Sequence, residues 1–594
     1  MSVHKYEMGV VGNCSLMAYV DILGNVCWMC LPRFDSYPVF AGLLADENAG
    51  GVFTVAPEES APLRQYYKEN TNVLCTEVEV PGGQVRITDF APRFAEYGRR
   101  FKPNMLFRKL EKIAGTPRIR VRCRPAVPED GASVEIAQGS NHLRYLGMPS
   151  MTRLTTDLPL SSILGGDEIV LSETRWLVFS FGPPLEAPLR ETGERFLHET
   201  QGYWREWVKS TSIHGIFQEQ VIRSALVLKL HQFEDTGAII ASGTTSLPES
   251  PGSGRNWDYR YCWMRDSYYT IRAFAEIGHF DEMERYFRYM EDIVARAESG
   301  IAPLFTLTGR PVPDESLLGW RGYENNGPVR LGNGANVQRQ FDVYGQMLTA
   351  IFPLYVDRRL LSYRPEKDLS IIHRLLALMD RDFDVPDAGI WEFRKLRQTH
   401  AYTYLFHWAG SRAAATIARK YGDGPLLKQA QSLHERARER LESCYFPELG
   451  RYGQARGSSV ADASTLQLVS MGYLKGERAL SHIRSLEKEL AAPGGLFFRY
   501  RAQDDFGMPD NTFLITAFWR VEALACAGLV DEALGHLERL MGYANHLGLF
   551  SEDVSLDGGQ WGNFPQTYSH VGLMNAVARI ATHEDRSFFE EEYL

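Results

Sequence analysis

From about residue 12 to 182, apolar and polar positions alternate in short runs broken by turns, the period of a half-buried strand. Residues 14–21, a Gly24-Asn25 turn and residues 26–31 read as one hairpin, and 74–80, Pro81-Gly82-Gly83 and 84–89 as a second. Further strands are expected at 119–123, 133–137, 142–146 and 168–181. Many short strands with regular turns predict an antiparallel β-sandwich.

Beyond about residue 189 the apolar period lengthens to that of a helix. Residues 191–210 read as a helical connector, followed by about twelve helices near 218–241, 265–277, 280–298, 337–355, 367–382, 400–421, 426–445, 462–474, 477–490, 511–528, 530–546 and 567–582. Tight breaks such as Tyr421-Gly422-Asp423-Gly424-Pro425 pair them into six antiparallel hairpins. The expected fold is therefore an all-β sandwich (1–188), a helical linker (189–212) and an all-α (α/α)6 barrel (213–594), a six-hairpin toroid. Connections at 242–264, 299–336, 383–399, 491–510 and 547–566 are long and rich in Trp, Gly and charge. Long loops in a compact domain usually carry function. If inner and outer helices alternate, these loops gather at one end of the barrel around a pocket.

Composition narrows the ligand. The 594-residue chain has a formal charge of −10, which argues against nucleic acid, because polyanion binding needs a clustered basic excess. Aromatic residues make up 12%, a supply of ring surfaces suited to a neutral sugar. Eight cysteines are too few for a disulfide framework in a chain this long, and the Cys27 to Cys30 spacing falls in an alternating, strand-like run with no second pair for zinc. No signal peptide or apolar stretch of membrane-spanning length is apparent, so a cytoplasmic protein without a membrane partner is expected. A homo-oligomer is compatible with the sequence.

Four loop clusters pair polar groups with aromatic rings: residues 256–266, 389–394, 498–500 and 549–553. Hydrolysis of an acetal with inversion needs one carboxyl to protonate the leaving oxygen and another to deprotonate water on the opposite face. Glu392, flanked by Ile390, Trp391 and Phe393, is expected to be desolvated and to serve as the acid. Glu552, between Ser551 and Asp553, is expected in a more polar setting as the ionised base. Asp342, on a helical face, fits a buried hydrogen-bonding role as well as a pocket role, and His400 and His570 read as structural.

The ordered motifs VCWMCLPRFDS at 26–36, RNWDYRYCWMRD at 255–266, PVRLGN at 328–333, GIWEFR at 389–394, GLFSED at 548–553 and GNFPQTYSHVG at 562–572 resemble glycoside hydrolase family 15, the glucoamylase and trehalase family, over nearly the whole chain. The resemblance implies a sandwich before an (α/α)6 barrel, attack from the non-reducing end with inversion, and no cofactor or catalytic metal. It makes Glu392 similar to the family's acid and Glu552 to its base. Arg265 and Asp266 resemble the pair that binds distal hydroxyls of the terminal glucose, Arg499 the arginine holding hydroxyls near the cleaved bond, and Trp391 a ring beside the sugar. Trp257, Tyr568, Arg330 and Asp35 complete the expected substrate-binding set, with a domain-interface contact as the alternative for the Arg33-Phe34-Asp35 loop.

The expected activity is exo-acting, inverting release of β-glucose from an α-glucan or a glucose-containing oligosaccharide. Trehalose hydrolysis and isomaltose or dextran hydrolysis are the alternatives, since all present the same non-reducing glucose. A phosphorylase would not need the second carboxylate. A carbohydrate-binding protein with a degenerate barrel would not need either glutamate.

Overall fold

The computed structural model describes residues 3–127, 134–185, 187–297, 300–363 and 368–583. The expected strand at 133–137, the helices at 280–298 and 367–382 and the end of the barrel segment run partly outside these. The first part of the chain folds into antiparallel sheets, as the alternation predicts. Strands Glu135–Gln138, His142–Leu146, Thr152–Thr156, Arg175–Phe181, Met105–Gly115, Gly83–Phe90, Leu74–Val80 and Ala61–Tyr67 form, in that order, an eight-stranded sheet. A second sheet runs Met8–Gly12, Met17–Asp21, Val26–Cys30, Pro38–Phe40. The two meet through their apolar faces, with Phe40 of one 5.0 Å from Phe179 of the other. Both expected hairpins form, with Val20 opposite Val26 and Val80 opposite Gly83. Asp21 closes the first turn by accepting from the backbone of Leu23 and Asn25. Cys27 and Cys30 lie in a strand, Cys27 near Met8 and Cys30 against Arg260.

Helix Leu189–Lys209 follows, close to the predicted connector. An inner ring is then built from Met264–Glu276, Asp342–Val356, Ala401–Tyr421, the short 463–470 segment, Leu514–Cys526 and Thr567–His583, each packed on the next and the last on the first. Helices Phe280–Arg296, Ser370–Arg381, Gly424–Glu442, Gly476–Leu490, Val530–Met541 and Gln218–His231 lie outside it. The amino-acid pattern explains this layering: inner helices such as Leu514–Cys526 are buried almost all round, whereas outer ones such as Val530–Met541 bury a single stripe. The inner helices approach closely where glycines face each other. A Cβ on Gly345 would lie 1.9 Å from the Phe406 carbonyl oxygen, and one on Gly410 would lie 2.6 Å from the Cα of Gly345.

Two helices are shorter than expected. The 218–241 helix ends at His231, because Gln232 turns extended and pairs with Ile239 across a turn through Gly237 (φ 89°). The 462–474 helix shrinks to a 3-10 turn, Ala463–Leu466, and one α turn, Gln467–Ser470, started by Asp462 and stopped before Gly472 (φ 76°). The sandwich docks on the barrel loops: Tyr6 donates to the Gly562 carbonyl, Trp28 to that of Gly243, and Arg260 to that of Ser36.

Candidate active site

The long loops converge, as alternation of inner and outer helices requires, on one pocket of about 890 Å³ including its open mouth. Glu249, Trp257, Tyr259, Trp263, Arg265, Asp266, Trp391, Glu392, Arg499, Glu552 and Tyr568 line it, with Arg255, Arg394, Asp505 and Phe506. Arg265 and Asp266 are buried, whereas Phe506 is 37% exposed and the Arg394 side chain 39% exposed, so the pocket has an inner end and a mouth.

Arg265 and Asp266 occupy the first turn of Met264–Glu276, where the helix presents its N-terminal end to the pocket. Arg265 Nη1 donates to Gln340 Oε1 at 2.6 Å and Nη2 to Glu392 Oε1 at 2.9 Å. No other side chain hydrogen-bonds the Asp266 carboxyl among the described residues. Burial pushes it up to about 7 against the pull of Arg265. A buried carboxyl with its hydrogen-bonding capacity unused is a ready acceptor for ligand hydroxyls.

Glu392 sits in a turn whose backbone N–H bonds the Gly389 carbonyl, with φ at 59°. A glutamate in left-handed backbone costs on the order of 1–3 kcal/mol and is held only where its surroundings impose it. Gln338 helps impose it by donating to the Glu392 carbonyl. The carboxyl does not lie among its apolar chain neighbours. Its Oε1 accepts from Trp263 Nε1 at 2.8 Å, from Arg265 and, more weakly, from Gln340 at 3.3 Å, leaving Oε2 without a protein donor among the described residues. The apolar setting expected for Glu392 is therefore corrected to a polar one, a quarter exposed. Ile390 and Phe393 are buried in the pocket wall, and Trp391 turns its ring toward Tyr500, Phe513 and Trp519 while its Nε1 donates to Asp462.

Glu552 presents the opposite contrast. Its backbone is pinned on both sides, N–H to Asn563 and carbonyl from Leu514, beside a small sheet of Thr512–Phe513, Asp553–Val554 and Gln560–Trp561. Tyr259 donates to Oε1 at 2.7 Å, and the Asn563 N–H to Oε2 at 3.3 Å. The residue is 2% exposed, and burial together with the Glu249 charge pushes the carboxyl up to about 8. The setting is polar, as expected, but through Tyr259, Asn563 and Glu249, and burial corrects the ionised form expected there; Ser551 turns to the Asp553 backbone, and Asp553 is itself buried and raised. Gly562 (φ 74°) makes room, since a Cβ there would lie 2.6 Å from Glu552 Oε2.

Glu249, Glu552 and Asp553 each bring a carboxylate oxygen within 4.8 Å of one another. Arg499 supplies the opposing charge, its Nη2 2.6 Å from Glu249 Oε2. Trp257 Nε1 donates to the other Glu249 oxygen at 2.8 Å. Trp391, Arg499, Trp257 and Tyr568 thus all reach the pocket, the Tyr568 hydroxyl making no hydrogen bond among the described residues.

Arg330 and Asp35 do not. Arg330 is spent on Glu315 and on the carbonyls of Gly254 and Asn256, with its guanidinium 4.7 Å from the Trp257 ring centre, so it braces a pocket wall from behind. Asp35 pairs with Arg33 and accepts from the Leu307 backbone, the domain-interface alternative. Asp342 is buried against Gln346 and 3.7 Å from Arg265, behind the lining rather than in it. His570 bonds Ser224 and the Phe550 backbone in the core. Sequence reasoning did not single out Tyr259, Trp263 and Gln340, although the first two lie inside the 255–266 cluster. Glu249 lies in a Ser-Leu-Pro-Glu-Ser-Pro stretch that carries no signal of a site.

A sheet-rich domain ahead of a six-hairpin barrel, with a carboxylate-lined pocket at the loop end, is the arrangement the resemblance to a glycoside hydrolase predicts. The chain belongs to glycosyl hydrolases family 15, whose model matches residues 215–578, while a model described as trehalase-like, N-terminal matches residues 3–156. It is 32% identical to a trehalase of Thermoplasma volcanium over 96% of this chain and 93% of that one, and 28% identical to a trehalase of Mycobacterium tuberculosis over 95% and 88%. A bacterial glucoamylase solved with acarbose superposes with a TM-score of 0.70 at 16% identity, covering 98% of this chain and 94% of that one, which establishes the shared two-domain fold. No helix among the described residues is long and apolar enough to cross a membrane.

Proposed function

We propose that the chain hydrolyses trehalose, with Glu392 as general acid and Glu552 as general base, inverting the attacked anomeric carbon. The observation that carries the substrate is likeness along the whole chain to proteins named trehalase, at 32% identity for two of them, with a trehalase-like N-terminal model on the sandwich. Trehalose, an alternative in the sequence reading, thereby replaces the α-glucan favoured there, and the inner-end machinery serves either, because both offer a non-reducing glucose.

In this reading Arg265 and Asp266 hold the distal hydroxyls of one glucose and Arg499 those nearer the bond. Glu392 protonates the bridging oxygen through Oε2, the oxygen without a protein donor. Glu552 draws a proton from water as water attacks, with Tyr259 and the Asn563 N–H keeping its carboxylate aimed. One observation favours the reverse division: a carboxyl held up to about 8 is a ready proton donor, which would make Glu552 the acid. The motif resemblance favours the first.

The substrate is tested by glucose release from trehalose, maltose, maltotriose, isomaltose, kojibiose and nigerose. Trehalose should be cleaved with the highest kcat/KM, and preference for maltotriose would return the protein to the glucoamylase reading. In a proton NMR time course, trehalose cleaved with inversion yields equal α- and β-glucose at first, one from each half. Exclusively α-glucose would exclude inversion.

A further inference from the structure

We propose that Glu249 is a positioning residue for this reaction, clamping Arg499 and Trp257 while setting a like charge beside the Glu552 carboxyl. The inference rests on the assignment of Glu552 as base. Glu249 is buried on the loop between Thr245–Pro248 and Asn256–Asp258, both of its carboxylate oxygens are bonded, and neither bond is to backbone. The Asn511 side chain donates to its carbonyl, fixing the loop from the opposite side of the pocket. The residue therefore ties its own loop to the one that carries Arg499, beside the Arg255–Asp504 pair that joins the same two.

The charges facing the cluster do not balance. Glu249, Glu552 and Asp553 come from two loops, and Arg499 is the cation in direct contact, on a third. Arg255 also acts on Asp553 from farther off, but its guanidinium is engaged by Asp504 at 2.6 Å. Tyr259 faces Glu552 as a neutral hydroxyl donor. Three mutually close carboxyls against one guanidinium cannot all ionise without penalty, and like-charge repulsion places the proton on a group whose partners tolerate it. Glu249 has Arg499 and the Trp257 N–H on its two oxygens, whereas Glu552 has a phenol and a backbone amide. The proton accordingly goes to the Glu552–Asp553 side, in agreement with the upward displacement of both.

The test is the pH profile of kcat/KM for trehalose in Glu249→Gln, with Glu249→Asp as the variant that keeps the charge. Removing the charge frees Arg499 to act on Glu552, so the acidic limb should move down by about one pH unit or more in Glu249→Gln and stay within about 0.3 unit in Glu249→Asp. A purely structural role would lower kcat/KM at every pH and leave the limb where it is, which would overturn the proposal. Movement of the alkaline limb instead would show that Glu552 is the acid and overturn the base assignment beneath it. If Glu249→Gln does not fold, the protein itself still decides. The protonated-carboxyl infrared band lost in Glu552→Gln should titrate near pH 8 without substrate, and titration in the ordinary carboxylate range, below about 5, would refute the proposal.

Discussion

The division of labour between the two glutamates can be tested by changing the leaving group rather than the enzyme alone. Glu392→Gln keeps a carbonyl oxygen where Trp263 and Arg265 donate, at 2.8 and 2.9 Å, so pocket geometry is conserved and the transferable proton is what is lost. Loss of a positioned general acid costs about 10²–10⁴-fold in rate, which is about 2.7–5.5 kcal/mol of barrier. Fluoride departs without needing a proton. On α-glucosyl fluoride, Glu392→Gln should therefore keep activity within about tenfold of the unmodified enzyme while trehalose turnover falls by about 10²–10⁴. Glu552→Gln removes the group that activates water, needed whatever departs, and should lose about 10²-fold or more on both substrates. Initial rates of fluoride release and of glucose release measure the two arms. The reverse pattern, with Glu552→Gln sparing the fluoride, would exchange the roles and accord with the raised Glu552 carboxyl. Near-normal trehalose turnover in both variants would remove the pair from the chemistry altogether.

Asp266→Asn should lower kcat/KM for trehalose by about 10–100-fold, the worth of one hydrogen bond to a charged group, yet leave Tm unchanged or raised, because the native carboxyl is buried without a side-chain partner. A drop in Tm with unchanged kinetics would make it structural. Asp35→Asn and Arg330→Gln should lower Tm and leave KM within about twofold, since both residues brace the walls; a large KM rise in either would place it at the substrate. Burial pushes the His407 imidazole down to about 4, so its neutral form stabilises the fold fully above its unfolded value near 6.5 and that contribution disappears as pH falls toward 4. The stability advantage of the protein over His407→Gln, read from urea midpoints, should shrink by up to about 3 kcal/mol between pH 7 and 4, and a constant difference would contradict the buried neutral imidazole.

Much of the architecture was legible because it depends on period. Alternation in 74–80 and 84–89 puts one face of each strand inward, and the turn residues between them leave one register open. The same logic finds the helices but not where Gln232 leaves one, since there the backbone pairs with Ile239 and the Gln232 side chain reaches the Glu282 carbonyl on another helix. The pocket was legible as a set of loops with too many rings and charges to be linkers. The environments of its carboxyls were not. Ile390 and Phe393 are next to Glu392 in the chain, yet a turn with φ at 59° sends its carboxyl away from them, toward donors at 263, 265 and 340. Local sequence reports which side chains are near along the backbone, whereas electrostatics depends on which are near in space.

The same distinction explains why family was easier to read than substrate. The inner end of the pocket is built from residues within dense motifs, such as Trp263, Arg265 and Asp266. At the mouth, the Arg394 guanidinium lies 5.0 Å from the Trp257 ring centre and 5.2 Å from that of Phe506, and Asp505 accepts from the backbone of Arg394. Arg255, on the same loop as Trp257, adds bonds to Asp504 and the Gly507 carbonyl. These contacts are assembled from residues about 110 to 250 positions apart, and a segment such as Asp504-Asp505-Phe506-Gly507 reads in isolation as an ordinary surface turn. In the proposed reading a glucose unit enters the inner end and the second sugar meets the mouth, so selection between trehalose and a longer glucan would fall to residues whose relation exists only after folding.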